Sequence, residues 1–312
     1  MDANRVRVLV EVAHAGSIAQ AARALAFTPS ALSQQLSKLE KEVGTQLLDR
    51  GASGVTLTPA GAVLVAHGER VLGELRDAWN AVREVAGAGP QRLSLGAFAT
   101  AAKELVPGAL RALQRRHPQA ELTLVDIEPP DGYGLVSSGE LDLLVTHRYP
   151  GLPAVPHPGL ERRPLLQDPL NLVLPEGHPL GARALSRQGI ALSALAADTW
   201  IAGAEGVPNR SLLNRLARDA NLELHVAYES ADYHVISALV AAGLGVALVP
   251  ATALGRTPPS GLVVGSLRGL RPAREISVLH RRTPSVLTRE FVGLLEEAAG
   301  EAAGAQVPRA AP

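Results

Sequence analysis

Residues 16–40, GSIAQAARALAFTPSALSQQLSKLE, constrain the fold more than any other stretch, because two helical patterns meet there at a proline. Ser17 and Gln20 match a capping box, in which two side chains satisfy backbone N–H groups left free at a helix start. Pro29 disfavours helical geometry at Thr28, whereas Thr28 as N-cap and Pro29 as first residue suit the opening of another helix. The stretch therefore predicts two short helices joined by a tight turn.

The second predicted helix has an apolar face and a polar face. A spacing of four, three and four places four apolar residues on one side, and these are Leu32, Leu36, Leu39 and Val43. The outward residues are Ser30, Gln34, Ser37, Lys38 and Lys41, with Ser33 and Gln35 at the edges. Gln and Ser can contact base edges and Lys can contact phosphates, as a recognition helix requires. A solvated helix shows the same residue types, so the flanking helices and the hairpin that follows are needed to favour DNA binding.

Composition narrows the class of protein without identifying a partner. A chain of 312 residues, 46% of them hydrophobic, can bury a sizeable core and divide into two or three domains. No Cys occurs, which excludes disulfides, thiolate catalysis, Cys-based zinc sites and thiol redox sensing. The formal net charge is zero, so a nucleic-acid partner has to be argued from local features.

The sequence favours a cytoplasmic protein without a membrane partner. The N-terminus, MDANRVRVLVEVAHAG, carries charges through its apolar positions and does not resemble a signal peptide. The longest apolar run, residues 235–250, is shorter than the roughly 18 residues of a membrane span and is broken by Gly243 and Gly245. A secreted solute-binding protein would need an export signal.

Enzyme chemistry is missing from the sequence. There is no G-x-S-x-G elbow, and the lysines, Lys38, Lys41 and Lys103, exclude a P-loop. None of the nine His forms an H-E-x-x-H pair or a convincing metal cluster, so we expect no catalytic residue, cofactor or metal. Two alternatives stay open, a DNA-binding oligomer without a ligand and a cytoplasmic small-molecule-binding protein.

The apolar spacing divides the chain into a helical part and an α/β part. Residues 5–86 show helical spacing almost throughout, and a break over 47–58 predicts a hairpin or wing. From Arg92 onward, short apolar runs alternate with amphipathic helices, which is typical of an α/β domain with a largely parallel sheet. Two crossings, near residues 163–171 and 266–272, predict two lobes with a ligand cleft between them.

The order and spacing of these segments resemble the LysR-type transcriptional regulators. VEVAHAGSIAQAARAL, TPSALSQQLSKLEKEVGTQLLDR and VTLTPAG, within residues 8–75, are similar to the family's winged helix-turn-helix. LSLGAFATAAKELVPGAL, HPQAELTL, GELDLLV and VAAGLGVALVP are similar to its effector-binding domain. The resemblance covers nearly the whole chain, and it implies a DNA-binding transcriptional regulator whose activity is modulated by a small molecule.

The expected fold is α/β with an N-terminal all-α winged helix-turn-helix and a two-lobed, periplasmic-binding-protein-like effector domain. The expected boundaries are a DNA-binding domain over 1–58, a linker and dimerisation helix over 59–86, a hinge over 87–91, an effector-binding domain over 92–299 and a disordered tail over 300–312. Within the effector domain, lobe one is expected to comprise 92–162 plus 268–299, and lobe two 164–267.

The resemblance implies DNA contacts at six positions, which are Pro29, Ser30, Ser33, Gln34, Lys38 and Arg50. The wing departs from the family pattern, because GASGVT after Arg50 contains no arginine. Over residues 1–58, six Lys or Arg stand against five Asp or Glu, a net charge of +1. Since phosphate neutralisation sets much of DNA affinity, we expect binding that is weaker, or more dependent on dimer and tetramer avidity, than in a family member with a basic wing.

The sequence of the linker helix predicts that it pairs with the same helix of a second copy of the chain. Thr58 and Pro59 repeat the cap-and-proline device, and an apolar stripe with heptad spacing follows, made of Leu64, Val71, Leu75, Ala78, Val82 and Val85. The stripe could pack on its own chain, whereas the resemblance favours an antiparallel homodimer, or a homotetramer built from it. Two recognition helices on one face of the duplex would read an interrupted inverted repeat.

The effector is expected to be a small molecule, often a carboxylate in this family. Thr100 follows the first strand of the α/β part at a helix start, where free N–H groups favour an anion, although it could simply be an N-cap. Further candidate lining residues are Thr146, His147, Gly203 and Ser230. His147 is more often a satisfied histidine than a ligand contact, and Trp200 is expected in the core.

Overall fold

The computed structural model describes residues 1–51, 54–86, 91–129, 131–152, 157–186, 188–255 and 257–306, without the side chains of Arg50, Glu84 and residues 304–306. The N-terminal part is a winged helix-turn-helix built from α1 (Ala3–Ala15), α2 (Ile18–Ala24), α3 (Pro29–Val43), β1 (Leu48–Gly51) and β2 (Gly54–Leu57). The long helix α4 (Pro59–Val85) leads out of it. None of the helices in the described part of the chain has the length and apolarity needed to span a membrane.

Lobe one packs helices around a five-stranded sheet. Its elements are β3 (Arg92–Ala97), α5 (Ala99–Glu104), α6 (Val106–Arg116), β4 (Glu121–Asp126), α7 (Gly132–Ser137), β5 (Leu143–Arg148), the first part of β6 (Leu160–Pro175), β11 (Ala273–Arg281) and α12 (Val286–Gln306). The core between the sheet and α5, α6 and α12 includes Leu95, Leu105, Val145 and Phe291, all of them buried.

Lobe two is formed by the chain between the two crossings. Its elements are the last part of β6, α8 (Gly181–Ala184), β7 (Thr199–Ala202), α9 (Pro208–Asp219), β8 (His225–Glu229), α10 (Tyr233–Ala241), β9 (Ala247–Pro250), α11 (Ala251–Leu254) and β10 (Leu262–Gly265), with a 3₁₀ turn at Leu192–Leu195. Trp200 is fully buried here, as predicted, and its indole N–H donates to the carbonyl oxygen of Leu195 at 3.2 Å.

The sheets are mixed, and the expectation of a largely parallel sheet is wrong. β3 pairs in parallel with β4 and β5, and β7 with β8, but β6 and β11 run antiparallel to each other and β11 antiparallel to β5. β6 is one long strand that pairs with β11 in lobe one and with β9 and β10 in lobe two. The return crossing, residues 266–272, lies beside it, because the Leu170 N–H donates to the Pro272 carbonyl at 2.8 Å.

The C-terminal helix is longer than the sequence predicted. α12 continues to Gln306, so residues 300–306, expected to be disordered, are helical. Small Ala residues favour a helix when its earlier turns are already fixed by packing, and Phe291 and Leu295 are buried there. Residues 307–312, and most of the expected hinge over 87–91, lie outside the described residues.

The long helix α4 packs on its own chain through two glycines. A Cβ atom on Gly68 would overlap Val6 of α1, and a Cβ atom on Gly73 would overlap the carbonyl group of Ser137 in α7. A residue without a Cβ allows backbones to approach this closely. The N-terminal winged helix-turn-helix and lobe one are therefore both held against the same helix.

Charged side chains fasten α4 to lobe one at the second glycine contact. Arg281 of β11 donates to the two carboxylate oxygens of Asp77 at 2.8 and 2.7 Å. The same guanidinium donates to the carbonyl oxygens of Val136 and Leu141 at 2.8 and 2.9 Å. Because Arg281 is almost fully buried and all its partners are fixed, this bidentate pair sets the position of α4 on lobe one.

An ion pair joins the N-terminal winged helix-turn-helix to α4 near the first glycine. His14 of α1 hydrogen-bonds Glu69 of α4 at 2.8 Å, and Gly134 of α7 leaves the space in which both side chains lie. Burial lowers the pKa of His14, but the hydrogen bond and charge of Glu69 outweigh it and the pKa lies above its ordinary value. Helix α1, helix α4 and helix α7 of lobe one therefore meet where His14 and Glu69 pair.

Replacing Gly73 with Ala tests this packing. Alanine is favoured over glycine inside a helix by about 1 kcal/mol. The added methyl group would overlap the Ser137 carbonyl, so we expect a net loss of about 1–3 kcal/mol in the free energy of unfolding, measured with urea.

Gly293→Ala in α12 is the matched control, since a Cβ atom there meets open space. This variant should gain up to about 1 kcal/mol from helix propensity alone. Equal stabilisation by both substitutions would contradict the close approach of α4 to α7.

Candidate DNA interface and effector site

The recognition helix α3 is fixed by its apolar face and by its cap. Leu32, Leu36 and Leu39 are buried in the N-terminal core. The Thr28 hydroxyl accepts a hydrogen bond from the Ala31 N–H at 3.2 Å, and Pro29 is the first helical residue. Thr28 and Pro29 therefore cap and open helix α3, as the sequence predicted.

The predicted DNA-contacting side chains of α3 lie on its outer surface. Pro29, Ser30, Gln34 and Lys38 are exposed and Ser33 is half-buried. Ser30 is 3.1 Å from the Thr28 hydroxyl, which orients it at the helix start. The polar residues that suit base edges thus precede the lysine that suits phosphate, in one row along the helix.

Two local expectations around this helix are wrong. Ser17 stands at the N-cap of α2 but makes no capping hydrogen bond, so the helix start is held by the backbone bond from Ala21 N–H to the Ser17 carbonyl at 3.0 Å. Val43 is 41% exposed rather than part of the apolar face, because α3 ends there and Gly44 turns the chain in a left-handed conformation.

The wing is the hairpin formed by β1 and β2, and the structure shows its strand pairing but not the side chain predicted to contact DNA. Leu48 pairs with Leu57 and Asp49 with Thr56 in the antiparallel hairpin. The backbone of Arg50 lies in β1, while its side chain and residues 52–53 lie outside the described part of the structure. Arg50 therefore stays a prediction.

The two lobes meet at a buried ion pair. Arg274 of β11 and Asp168 of β6 are opposite each other in the antiparallel register and are 1% and 0% exposed. The Arg274 Nε donates to Asp168 Oδ2 at 2.9 Å, and Nη2 donates to the hydroxyl oxygens of Thr100 at 2.6 Å and Thr252 at 3.1 Å. Thr100 belongs to lobe one and Thr252 to lobe two, so one guanidinium bonds both lobes.

Both carboxylate oxygens of Asp168 accept hydrogen bonds from residues of this network. The Thr252 hydroxyl donates to Oδ2 at 2.6 Å, and the Thr252 N–H donates to Oδ1 at 3.0 Å. A buried carboxylate needs such partners, because an unpaired charge away from water is costly.

Aromatic side chains surround the guanidinium. Its carbon lies 4.9 Å from the ring centre of Phe98 and 5.6 Å from that of Tyr233. The hydroxyl groups of Tyr233 and Tyr149 are 3.0 Å apart, and the ring of His147 stands edge-on to Phe98 at 4.6 Å. Burial raises the pKa of both tyrosines, which keeps them neutral, and burial lowers the pKa of His147 despite the opposing effect of Glu128.

The structure brings two of the five predicted effector residues, Thr100 and His147, to this junction and places a third, Thr146, next to His147 on β5. Thr100 bonds Arg274 and is not an N-cap, since Phe98 holds that position in α5. His147 faces Phe98, and its neighbour Thr146 is fully buried with its hydroxyl 3.0 Å from that of Tyr133 in α7.

The other two predicted residues lie at the carboxyl ends of paired strands in lobe two. Gly203 follows β7 and leaves space for Asn209, because a Cβ atom there would overlap its amide oxygen. Ser230 follows β8, and its hydroxyl accepts from the Asp232 N–H at 3.1 Å just before α10 begins. Ser230 thus shapes the turn that carries Tyr233.

Sequence analysis missed the residues that organise the junction, which are Tyr149, Asp168, Tyr233, Thr252 and Arg274. Asp168 is a single charge within a strongly apolar stretch, LLQDPLNLVLP, and Arg274 precedes the apolar strand segment ISVLH with only Glu275 between them. That pattern could have indicated a buried pair, because an isolated charge in a buried strand needs a partner. Within the described residues, no three His, Asp or Glu side chains are arranged to hold a metal ion.

Comparisons with known proteins agree with this architecture. Residues 3–62 match the bacterial regulatory helix-turn-helix of the lysR family, and residues 86–300 match the LysR substrate binding domain. A probable hydrogen peroxide-inducible genes activator of Streptomyces viridosporus is 31% identical over 92% of this chain and 90% of its own length. The small neutral protease regulatory protein of Streptomyces coelicolor is 30% identical over 78% of this chain and 71% of that protein.

Among solved structures, full-length OxyR from Pseudomonas aeruginosa superposes with a TM-score of 0.64 at 25% identity, over 96% of this chain and 94% of that chain. The fold, the two matched domains and their order along the chain agree. The chain belongs to the LysR family of DNA-binding transcriptional regulators, with an N-terminal helix-turn-helix and a C-terminal effector-binding domain.

Proposed function

We propose that two copies of this chain bind an interrupted inverted repeat in double-stranded DNA, each through the outer face of α3, and that a small molecule at the lobe junction changes how the copies assemble. The observation that carries the proposal is the exposed row from Ser30 to Lys38 on a helix whose other face is locked in the core. Pro29, Ser33, Gln34 and Arg50 complete the proposed DNA contacts. Residues 1–58 would act as the DNA-binding unit, in the cytoplasm.

The signal differs in kind from thiol oxidation. One relative bears a name that refers to hydrogen peroxide, but this chain contains no cysteine. Reversible oxidation to a sulfenic acid or disulfide requires a cysteine thiolate. We therefore propose control by a reversibly bound effector, for which the junction around Arg274 supplies polar and aromatic groups from both lobes.

The proposed dimer contact is the uncovered face of α4. Leu64 packs in the core of its own chain, but the later members of the predicted stripe are exposed, as is Trp79. A narrow apolar stripe on a long helix suits a second helix, and a second copy of α4 would cover it in an antiparallel pair. A homodimer, or a homotetramer of two such pairs, would place two α3 helices for one operator.

The recognition-helix proposal predicts a loss of specificity in the double variant Ser33→Ala/Gln34→Ala. Each base contact contributes about 1–3 kcal/mol of discrimination, so the variant should lose specific binding to the fragment upstream of its own gene while retaining weak, salt-sensitive binding. Fluorescence anisotropy at two salt concentrations, with a scrambled fragment of equal length, would measure it.

Lys38→Ala and Lys103→Ala form a charge-matched pair of controls. Lys38 is on α3 and Lys103 on α5, and both are exposed. Removing one phosphate contact should lower the salt slope by about 0.9 in the Lys38 variant and leave the Lys103 variant like the wild type. Equal, specific binding by the wild type and the double variant would refute the assignment of α3.

The dimer proposal predicts that Val82→Glu yields monomers. Val82 is 68% exposed on α4, and an unpaired carboxylate buried between two helices is costly. Leu185→Glu, at 70% exposure in lobe two, is the matched control. Sedimentation velocity should show a dimer or tetramer for the control, and an unchanged assembly in the Val82 variant would exclude α4 as the interface.

A further inference from the structure

We infer that the pair of His14 and Glu69 is a proton-dependent latch, which fastens lobe one to the N-terminal winged helix-turn-helix more tightly in mildly acidic than in alkaline solution. The latch requires neither DNA nor an effector, so it is independent of the proposed function. Two observations carry it: the seat of the pair on lobe one, and the carboxylates that face the imidazole from three parts of the chain.

The latch lies where the N-terminal part and α4 touch α7 of lobe one. The His14 Nε2 is 2.8 Å from a carboxylate oxygen of Glu69. A Cβ atom on Gly134 of α7 would lie 2.6 Å from this nitrogen and 2.8 Å from this oxygen, whereas a carbon atom needs about 3.5 Å from its nonbonded neighbours. The pair therefore rests directly on the backbone of lobe one, where a glycine leaves room for it.

Each of the three parts that meet here places a carboxylate near the imidazole. Glu11 belongs to α1, Glu69 to α4, and Glu140 follows α7 in lobe one, and all three favour the protonated ring. His14 also lies in the last turn of α1, where the helix dipole favours a cation. An imidazolium would bond Glu69 with charge on both partners and attract Glu140 across the contact with lobe one. A neutral ring would leave these carboxylates without this cation.

The balance of these effects favours a protonated His14. Burial lowers the pKa of His14, but the hydrogen bond with Glu69 and the nearby negative charges raise it above the ordinary value of about 6.5. Such a group contributes stability that is fully present below the pKa of the unfolded chain and is lost as the pH rises through the higher pKa of the folded chain. The latch therefore holds below about pH 6.5 and weakens as the solution becomes alkaline.

A second histidine near Glu69 has the opposite dependence. The His157 ring lies 4.0 Å from the Tyr133 ring of α7, and burial and the charge of Arg162 lower the pKa of His157 although Glu69 opposes them. Protonation of His157 in acid therefore reduces stability. The effect of His14 is isolated by comparing the wild type, at each pH, with proteins in which His157 is unchanged.

Nuclear magnetic resonance of isotope-labelled histidine in the purified full-length protein would measure the titration midpoint of His14. His14→Gln, or His14→Asn if that variant fails to fold, would assign the signal. We expect a midpoint above about 6.5 in the wild type and a lower one in Glu69→Gln, which keeps a hydrogen-bonding side chain without the charge. A wild-type midpoint at or below about 6.5, or one that Glu69→Gln leaves unchanged, would overturn the inference.

Gly134→Ala tests whether the pair is seated on lobe one. The variant keeps every titrating group, and alanine suits a helix interior, but the added methyl group would displace His14 and Glu69 from the α7 backbone. We expect the His14 midpoint to fall in this variant. It should also fall in Glu140→Gln, by less than in Glu69→Gln. A His14 titration that neither Gly134→Ala nor Glu140→Gln alters would mean that lobe one takes no part, and the latch would be refuted.

Thermal unfolding measures the consequence for the whole protein. The Tm of the wild type should exceed that of His14→Gln by more at about pH 6 than at about pH 8.5, because the imidazolium contributes only below its pKa. His225→Gln, which removes an exposed histidine from β8 in lobe two, is the matched control and should differ from the wild type equally at both pH values. A Tm difference for His14→Gln that stays constant, or that grows towards alkaline pH, contradicts a proton-dependent latch.

Discussion

The ion pair between Arg274 and Asp168 is the constraint on which the two-lobed domain depends. The residues face each other on β11 and β6, the strands through which the chain passes between the lobes, and neither is accessible to water. Removing one charge from such a pair costs about 3–5 kcal/mol, because its partner stays buried. The hydroxyl groups of Thr100 and Thr252 tie the same pair to both lobes, so the lobes cannot separate at this point without exposing or stranding a charge.

A short series of contacts links this pair to the DNA-binding part. Thr146, next to His147 on β5, bonds Tyr133 of α7, and the last residue of α7, Ser137, meets Gly73 of α4. Arg281 lies on β11, the strand that carries Arg274, and it holds Asp77 of α4. A ligand that binds one arrangement of the lobes more tightly than another would therefore act on the two elements that position α4. The coupling energy is set by that difference in affinity and not by the tightness of binding.

The sequence could predict what local physics determines and missed what long-range pairing determines. Thr28 and Pro29 specify the start of α3 through atoms within three residues, so a cap and a proline sufficed. Arg274 and Asp168 are 106 residues apart, and their pairing follows from the strand register, which no local pattern contains. The antiparallel course of β6 and β11 was missed for the same reason. The helical extension to Gln306 shows the converse, since packing of earlier turns overrode a composition typical of a disordered tail.

The weak charge of the DNA-binding part makes the proposed dimer important for DNA affinity. A net charge of +1 over residues 1–58 neutralises few phosphates, so one copy gains little of the affinity that does not depend on sequence. In the proposed dimer, two copies on one operator would gain affinity through effective concentration, and that gain would disappear if the distance between the recognition helices no longer matched the half-sites. Because α4 carries both the proposed dimer face and the contacts to lobe one, a small rotation of α4 would change this distance.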